Sequence, residues 1–458
     1  MNSSTSRYAL RMLVLWLVLA VCILLWRWCK HSMSKLEPPE CPGALPLFGH
    51  LHLIISDNTF IAGPDDALTV ANACIEKHFV YAFARPWLGL GLITSPGAVW
   101  KRHRKLLDPA FSHHVLHRYM DVFNKQAHRL IEKVADHAET AMDFEFADGK
   151  AEDSEYMETV DKIIVIMFRR VQEPWLYFDI LFKWSGLEKA QAKCLEILKN
   201  EFTKVLQRKK LQMKQISNVQ PCEINGYEKG SEAKSKTFLE LLLGLSERNG
   251  TFTDEEVRNH FDTIIVGGYD TVATTILFTT ILIGSYPHVQ ERLLDELKNV
   301  CGETDSDVTR DNLSRLVYLD AIIKESLRIY SIIPAVARTI DMDVKLKNYT
   351  LRAGRTCIVS LYGIHRHQMW GEDAEEFRPE RWLDPSTLPA RANAFVAFSL
   401  GRRQCIGKAY AMISLKTTLA HFFRRYKVTA DHTKMVLKMD VLLKPASGHE
   451  ISIEKRSI

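Results

Sequence analysis

The stretch Phe398-Ser-Leu-Gly401-Arg-Arg403-Gln-Cys405-Ile-Gly407 is the most informative part of this chain. Gly401 permits a tight backbone turn at little steric cost. Apolar residues after Cys405 recur at helical spacing, which predicts a helix over residues 406 to about 423. A cysteine at a helix N-terminus faces unpaired N–H groups and the positive end of the helix dipole, and both favour thiolate over thiol. The stretch therefore predicts a thiolate presented to a metal where a helix begins.

This stretch resembles the signature of the cytochrome P-450 family of haem-thiolate monooxygenases, Phe-x-x-Gly-x-Arg-x-Cys-x-Gly. Its fixed positions are all present, as Phe398, Gly401, Arg403, Cys405 and Gly407. The resemblance implies that Cys405 is the axial ligand of a haem iron and that Arg403 pairs with a haem propionate. It implies that Phe398 packs against the proximal face and that Gly407 lets the helix lie close to the porphyrin. The implied fold is mainly α with small β-sheets (α+β).

Length and composition limit the other possibilities. The chain has 458 residues, of which 47% are hydrophobic, so it can bury a large core. Its length suggests about three domains, but the motifs are spread along the chain and must converge, which predicts one catalytic domain over residues 51–458. A net charge of +5, with no basic stripe interleaved with aromatic residues, argues against nucleic-acid binding. Nine cysteines without a Cys-x-x-Cys pair indicate a reducing compartment.

The N-terminal residues predict a membrane anchor. Residues 12–26 are an unbroken apolar run, shorter than the roughly twenty residues that a bilayer core needs but lengthened by neighbouring apolar residues. A cleaved signal peptide is the alternative, but a Trp-Arg-Trp-Cys-Lys run stands where small cleavage-site residues would be needed. We therefore predict a retained signal anchor over residues 1–30, with the body of the protein on the cytosolic side. Residues 31–50 resemble the proline-rich hinge of microsomal family members, which implies a single-pass protein of the endoplasmic reticulum membrane.

A second motif lies on a long apolar helix. Thr253 and Glu256 form a capping box, and the pattern predicts a helix that continues to about residue 285. Within it, residues 267–271 read Gly-Gly-Tyr-Asp-Thr. Two glycines inside a helix cost roughly 1 kcal/mol each against alanine, so they indicate either close helix–helix contact or a groove for a ligand.

The Gly-Gly-Tyr-Asp-Thr run resembles the oxygen-binding helix of the family. The resemblance implies that Thr271 stabilises oxygen bound at the iron and holds an ordered water, and that Asp270 relays protons from solvent. The region around residues 87–111 most resembles family four of these proteins, of arthropod type. Many members of family four carry a Glu that esterifies the haem. That position is Gly267 here, so the implied cofactor is haem b without a covalent ester.

Further motifs match other parts of the family pattern. Glu325 and Arg328 share a face of a predicted helix over residues 316–330, and by resemblance Arg381 completes a structural triad with them. Ser95 and Pro96 predict the start of a helix that stops before residue 109. The resemblance implies that three further side chains contact haem propionates: Trp100, Arg104 and Arg338.

Several expectations concern the remaining segments. Short strands are predicted over residues 335–340, 344–351 and 357–361, a lid over the substrate channel over 175–211, and a mobile loop over 215–236. Residues 51–62 and 144–155 look too short for the strands and the helix that the family places there. His113 and His117 have the spacing of a metal pair without an evident third ligand. A basic surface is predicted over the residues Lys101, Arg102, Lys105, Arg118, Arg402 and Lys408.

The function that this reading favours is a monooxygenase. It would insert one oxygen atom from O2 into an apolar substrate (a fatty acid, a hormone-like lipid or a xenobiotic), with electrons from an NADPH-cytochrome reductase, with or without cytochrome b5. A haem-thiolate isomerase or dehydratase would need no reductase, and the Asp270–Thr271 pair speaks against it. The third alternative is a haem- or lipid-binding protein that has lost turnover.

Overall fold

The computed structural model describes residues 58–138, 155–219, 237–249, 252–302, 306–439, 442–446 and 451–456. Helices dominate these residues. The α-helices, in chain order, are α1 Pro64–Ala73, α2 Arg85–Leu88, α3 Gly97–Leu107, α4 His113–Leu116, α5 Met120–Ala138, α6 Glu155–Gln172, α7 Asp179–Trp184, α8 Leu187–Val219, α9 Phe238–Asn249, α10 Asp254–Ser285, α11 Pro287–Cys301, α12 Arg310–Arg315, α13 Val317–Ile329, α14 Leu361–His365 and α15 Lys408–Arg425.

The β-strands are short and form four small sheets. They are β1 Asn58–Ile61, β2 Ala335–Thr339, β3 Val344–Lys345, β4 Thr350–Leu351, β5 Thr356–Ser360, β6 Tyr426–Thr429, β7 Leu437–Met439, β8 Leu443–Pro445 and β9 Ser452–Lys455. In the largest sheet β5 is central, with β1 parallel to it on one side and β2 antiparallel on the other. The other three sheets are antiparallel pairs: β3 with β4, β6 with β9, and β7 with β8. The mainly α fold with small sheets is therefore confirmed.

Helix α10 runs through the main core. The capping box at its start is present: Thr253 accepts a hydrogen bond from the Glu256 N–H at 3.1 Å, and Glu256 accepts one from the Thr253 N–H at 2.9 Å. Its C-terminal half is almost wholly buried among α5, α11, α13 and α15. Within the described part of the chain, α10 alone has the length and apolar composition to cross a membrane. The predicted anchor, residues 1–30, and hinge, residues 31–50, lie outside the described residues.

Several predicted boundaries need correction. Helix α3 begins at Gly97 without a side-chain cap from Ser95, because the Gly97 N–H instead donates to the Glu76 carboxylate at 2.8 Å. The strand predicted over residues 344–351 is a hairpin of β3 and β4. Helix α8 continues to Val219, so the first part of the loop predicted over 215–236 is helical.

The two segments that looked too short in the sequence are described only in part. Strand β1 occupies residues 58–61 and completes the sheet with β5 and β2, so this part of the small β-sheet is present. Residues 51–57, 139–154 and 220–236 lie outside the described part of the chain. The substrate lid predicted over residues 175–211 falls on α7 and about the first three quarters of α8.

Candidate active site around Cys405

The loop before α15 holds Cys405 at the end of a closed turn. The Cys405 N–H donates to the Phe398 carbonyl at 2.9 Å, so the two ends of the loop are tied together. Gly401 has φ +67°, and a Cβ at this position would lie 2.7 Å from backbone atoms of Ala71. A side chain is therefore excluded at Gly401 by both conformation and space. Helix α15 begins at Lys408 rather than at residue 406, so Cys405 lies in the turn that leads into the helix.

The Cys405 thiol is exposed, although its surroundings are poorly solvated. Burial raises the thiol pKa, against lowering contributions from the Gly407 N–H, Arg104 and Lys408. The Gly407 N–H and the two cations favour the thiolate, as the sequence predicts, but desolvation outweighs them and the net pKa is raised. The thiol would become a thiolate when a metal displaces its proton.

The glycines of α10 leave space beside that helix. A Cβ at Gly267 or Gly268 would meet nothing within 4 Å, so close helix–helix contact does not explain them. One turn later the Thr271 hydroxyl donates to the Gly267 carbonyl at 2.7 Å. Asp270 forms an ion pair with Lys444 of β8, with Oδ1 and Nζ 2.6 Å apart. Lys444 was not predicted, because no local pattern indicates that the β7–β8 hairpin reaches α10.

Three of the predicted propionate-binding residues lie around the Cys405 loop. Arg403 is buried and donates to the carbonyls of Ile75, Leu92 and Ser95, and its guanidinium lies 4.6 Å from the Trp100 ring centroid. Arg104 donates to the Gln404 carbonyl and to Asp108, each at 2.6 Å. Helix α3 is thereby fixed against the loop.

Arg338, the fourth predicted propionate contact, lies on β2. It is 1% exposed, and its Nε has no hydrogen-bond partner. Burial lowers the pKa of Arg338. The pKa of Arg403 is lowered to about 10, first by the burial of Arg403 and then by the positive charge of Arg338. A buried guanidinium with an unused donor beside a second guanidinium fits an anionic ligand.

Glu325 of α13 lies between two buried arginines. Its carboxylate accepts hydrogen bonds from Arg328 Nε and Nη2 at 2.9 and 2.8 Å, and from Arg381 Nε at 2.8 Å. The Trp382 indole N–H also donates to it at 2.9 Å, a partner that the sequence did not indicate. The remaining Arg328 donors bond to backbone carbonyls, including that of His365.

His365 connects this triad to the Cys405 loop. Its Nε2 accepts a hydrogen bond from the Val396 N–H at 2.9 Å, two residues before Phe398. Because a backbone N–H can only donate, Nε2 is unprotonated and Nδ1 donates to the Ser331 hydroxyl at 2.7 Å. Phe398 itself is partly buried against the main core. The triad therefore acts on the loop through a neutral imidazole.

Two other groups of histidines bring possible metal ligands close together. His113 and His117 have ring centroids 6.1 Å apart, and among the described residues no third ligand joins them. His128, Asp307 and His421 have ligand atoms within 4.8 Å of one another. However, both ring nitrogens of His421 are already hydrogen-bonded, Nδ1 to Arg424 at 3.0 Å and Nε2 to Asn124 at 2.8 Å, which leaves neither free for a metal.

Comparisons with known proteins show the family to which this chain belongs. A family model described as "Cytochrome P450" matches residues 65–453. The crystal structure of a cytochrome P450 (CYP102L1) superposes with a TM-score of 0.73 at 20% identity, covering 87% of this chain and 92% of that one. The chain therefore belongs to the cytochrome P450 family, whose members are monooxygenases that bind haem through a cysteine thiolate and use O2, a redox partner and a hydrophobic substrate.

Within that family the chain is of the family 4 type. It is 33% identical over 422 residues to "Cytochrome P450 4V2" of Mus musculus, covering 85% of this chain and 78% of that protein. It is 28% identical over 409 residues to "Cytochrome P450 4c3" of Drosophila melanogaster, covering 83% and 76%.

The residues described above fit a bound haem. The exposed sulfur of Cys405 offers an axial ligand. The unused donor of buried Arg338 suits a propionate, and the open side of Gly267 and Gly268 leaves room for a ligand beside α10.

Proposed function

We propose that this protein inserts one oxygen atom from O2 into an apolar substrate, using electrons from NADPH that a cytochrome reductase delivers. The observation that carries the proposal is the Cys405 thiol, which is exposed although its surroundings are desolvated. A free surface cysteine would be solvated, and a structural core cysteine would be buried. An accessible sulfur with desolvated surroundings, just before a helix and near the cations Arg104 and Lys408, suits a metal ligand.

The proposed cofactor is haem b, held by Cys405 and by the cations Arg403, Arg104 and Arg338, with Trp100 packed against Arg403. When bound, the haem would supply oxygen activation, with the thiolate as an electron-donating ligand. Position 267 is a glycine and offers no carboxylate for an ester. The haem is therefore held by coordination and ion pairing alone.

Asp270 and Thr271 are the proposed catalytic pair. The Thr271 hydroxyl donates its proton to the Gly267 carbonyl, so the lone pairs of the Thr271 oxygen can accept a hydrogen bond from another donor. The Asp270 carboxylate is 13% exposed and its partner Lys444 is 35% exposed, so the ion pair lies between solvent and the interior. Asp270 would pass protons inward, and Lys444 would hold the carboxylate in place between transfers.

The substrate is proposed to be apolar because apolar residues lie next to the glycines of α10. Val266 packs against an apolar cluster that includes Ile163 and Ile166 of α6. Such walls exclude water and bind hydrocarbon without directional contacts. Fatty acids, hormone-like lipids and xenobiotics all satisfy this requirement.

Electron delivery is proposed at a basic face next to the Cys405 loop. Arg104 fixes α3 against that loop, and the cations of the predicted basic surface are all exposed. These residues are Lys101, Arg102, Lys105, Arg118, Arg402 and Lys408. An acidic reductase, with cytochrome b5 as a second donor, would dock there by charge complementarity. Residues 1–30 would anchor the protein in the endoplasmic reticulum membrane with this face in the cytosol.

The test combines a spectrum with an assay. Purified protein is examined for the carbon monoxide difference spectrum of a thiolate-ligated haem, and for product formation from a fatty acid with NADPH and reductase. We expect both from the wild type, neither from Cys405→Ser, and the spectrum with oxygen use but little product from Thr271→Ala. An unchanged spectrum in Cys405→Ser contradicts the assignment of the ligand. Turnover of a peroxide without NADPH would instead indicate an isomerase, and a spectrum without either activity a binding protein.

A further inference from the structure

A third cation, Lys77, lies beside the backbone of Arg338 and is not part of any motif found in the sequence. Lys77 lies in the segment between α1 and the helical turn at Phe79–Ala84. Its backbone pairs with Arg338 as an isolated antiparallel bridge, and the Lys77 carbonyl accepts a hydrogen bond from the Thr339 hydroxyl at 3.3 Å. The neighbouring Glu76 carbonyl accepts one from the Thr339 N–H at 3.1 Å. The segment is thus fixed along the edge of β2.

The Lys77 side chain points into a positively charged environment. Its Nζ lies 4.2 Å from the Tyr81 ring centroid. Tyr81 also makes a side-chain hydrogen bond with Arg338. Burial, and then the charges of Arg338 and Arg403, lower the pKa of Lys77 well below its usual value. Both guanidinium groups that act on Lys77 are buried, whereas Lys77 itself is half-buried and its backbone is paired with that of Arg338.

Among the described residues, the carboxylate that acts on these cations is Glu76. It interacts with Arg403 and also accepts a hydrogen bond from the Gly97 N–H at 2.8 Å. In the described part of the chain, Lys77, Arg338 and Arg403 carry three positive charges and Glu76 one negative charge, which leaves two positive charges uncompensated. Buried like charges destabilise a protein unless an anion pairs with them. A haem brings two propionates, and so two negative charges, to the same place.

We propose that Lys77 is a further cofactor-binding residue, which pairs through its ammonium with a haem propionate and is oriented for this by the face of the Tyr81 ring. The proposal depends on the proposed function, since it requires that the chain binds haem. It extends the propionate site from Trp100, Arg104, Arg338 and Arg403 to a residue between α1 and α2, far from the Cys405 loop in sequence.

The test measures haem retention in the holoenzyme. Ferric haem is transferred to an excess of an apoglobin scavenger, and the first-order rate of loss is followed in the Soret region. We expect Lys77→Met to lose haem at least about tenfold faster than the wild type, since the variant loses a charge-assisted hydrogen bond to the propionate. Lys77→Arg keeps the charge and should lose haem at close to the wild-type rate. Lys193→Met on α8, an exposed lysine removed from this cluster, is the matched control.

The ferric/ferrous reduction potential gives a second readout that a merely structural lysine would not move. Removal of a cation next to a propionate disfavours the added electron, so Lys77→Met should lower the potential, whereas Lys77→Arg and Lys193→Met should not. If the wild type binds thiolate-ligated haem but Lys77→Met matches it in loss rate and potential, the inference is overturned. If the wild type shows no thiolate-ligated haem at all, it is the proposed function that fails.

Discussion

Glu325 shows how one buried residue can hold several elements in place. Its carboxylate accepts five hydrogen bonds, from Arg328, Arg381, the Arg378 N–H and Trp382. Both arginine side chains and Glu325 are fully buried. A buried ion pair is tolerable only when its remaining donors are also satisfied. Here the remaining Arg328 donors bond to carbonyls of the segment that precedes the Cys405 loop.

We predict that Glu325→Gln destabilises the fold by about 3–5 kcal/mol, because it leaves two buried guanidinium groups without their shared counter-charge. Asp373 contacts Arg381 but not Arg328, so it compensates only in part. The measurement is the urea midpoint of the purified protein together with the fraction that carries haem. Glu158→Gln, in the exposed pair with Lys162, should change stability by less than about 1 kcal/mol. Equal midpoints for the two variants would refute the structural role of the triad.

At the scale of single residues, the sequence identified those that belong to local motifs. Cys405 and the glycines around it could be found because their spacing is fixed within one turn. Lys77 and Lys444 could not, because each gains its partner from a strand or helix more than about 170 residues away. The sequence also indicated the groups that lower the pKa of Cys405 but not the burial that raises it. The dipole of α15 can be read from the sequence, whereas the desolvation of the sulfur depends on tertiary packing.

At the scale of elements, the loop before α15 depends on a close approach to α1. Gly401 lies against the backbone of Ala71, near the end of α1. The contact holds the loop against an element whose following segment carries Lys77. Two parts of the proposed haem site, the ligand loop and the Lys77 segment, are therefore positioned by the same helix.

We predict that Gly401→Ala abolishes haem incorporation. Alanine at a positive φ costs about 1–2 kcal/mol, and its Cβ would also overlap the Ala71 backbone, so the loop must move. The carbon monoxide difference spectrum per mole of protein measures the result. Gly354→Ala is the control, because Gly354 has φ +87° but open space around its Cβ position. Gly354→Ala should suffer a similar conformational strain yet keep its haem. Loss of haem from both variants would mean that backbone strain, and not the contact with α1, is the cause.

Element boundaries show where sequence patterns are insufficient. Both ends of helix α10 were predicted to within one residue. A capping box marks its start, and Tyr286-Pro287, where the next helix begins, marks its end. The start of α3 was misassigned because its cap, Glu76, comes from another segment. Local hydrogen bonds that a sequence encodes are predictable, whereas those that tertiary structure supplies are not.

At the scale of the whole molecule, buried histidines occur in three separate parts of the fold. His260 lies between α10 and α3, His365 beneath the Cys405 loop, and His421 on α15 against α5. Burial is the main cause that lowers their pKa values, to about 3 for His260 and His365 and about 4 for His421. All three are therefore neutral in the folded protein at neutral pH, and the nitrogens that accept hydrogen bonds in His365 and His421 would lose those bonds on protonation.

These shifts predict a protein that is sensitive to acid. An unfolded histidine takes up a proton near pH 6.5, and the folded one only near pH 3–4, so stability is lost as pH falls through that interval. Asp262 acts in the opposite sense, because burial raises its pKa to about 7 and the folded state then holds a proton that the unfolded chain releases above about pH 4. His78 and His103 act in the same direction as the three histidines, because burial lowers their pKa values as well. These histidines outweigh one aspartate, so the net effect of acidification is a loss of stability.

We therefore expect a lower melting temperature at pH 5.5 than at pH 7.5, followed by circular dichroism. His421→Gln should reduce this pH-dependent difference, since it removes one of the histidines with a lowered pKa and, with it, up to about 1.4 kcal/mol per pH unit of slope. His421 is chosen because it contacts Asn124 and Arg424 rather than the Cys405 loop, so haem loss does not confuse the comparison. His114→Gln, at an exposed position on α4, is the control and should keep the wild-type difference. If His421→Gln keeps it as well, buried neutral histidine is not the cause of the acid sensitivity.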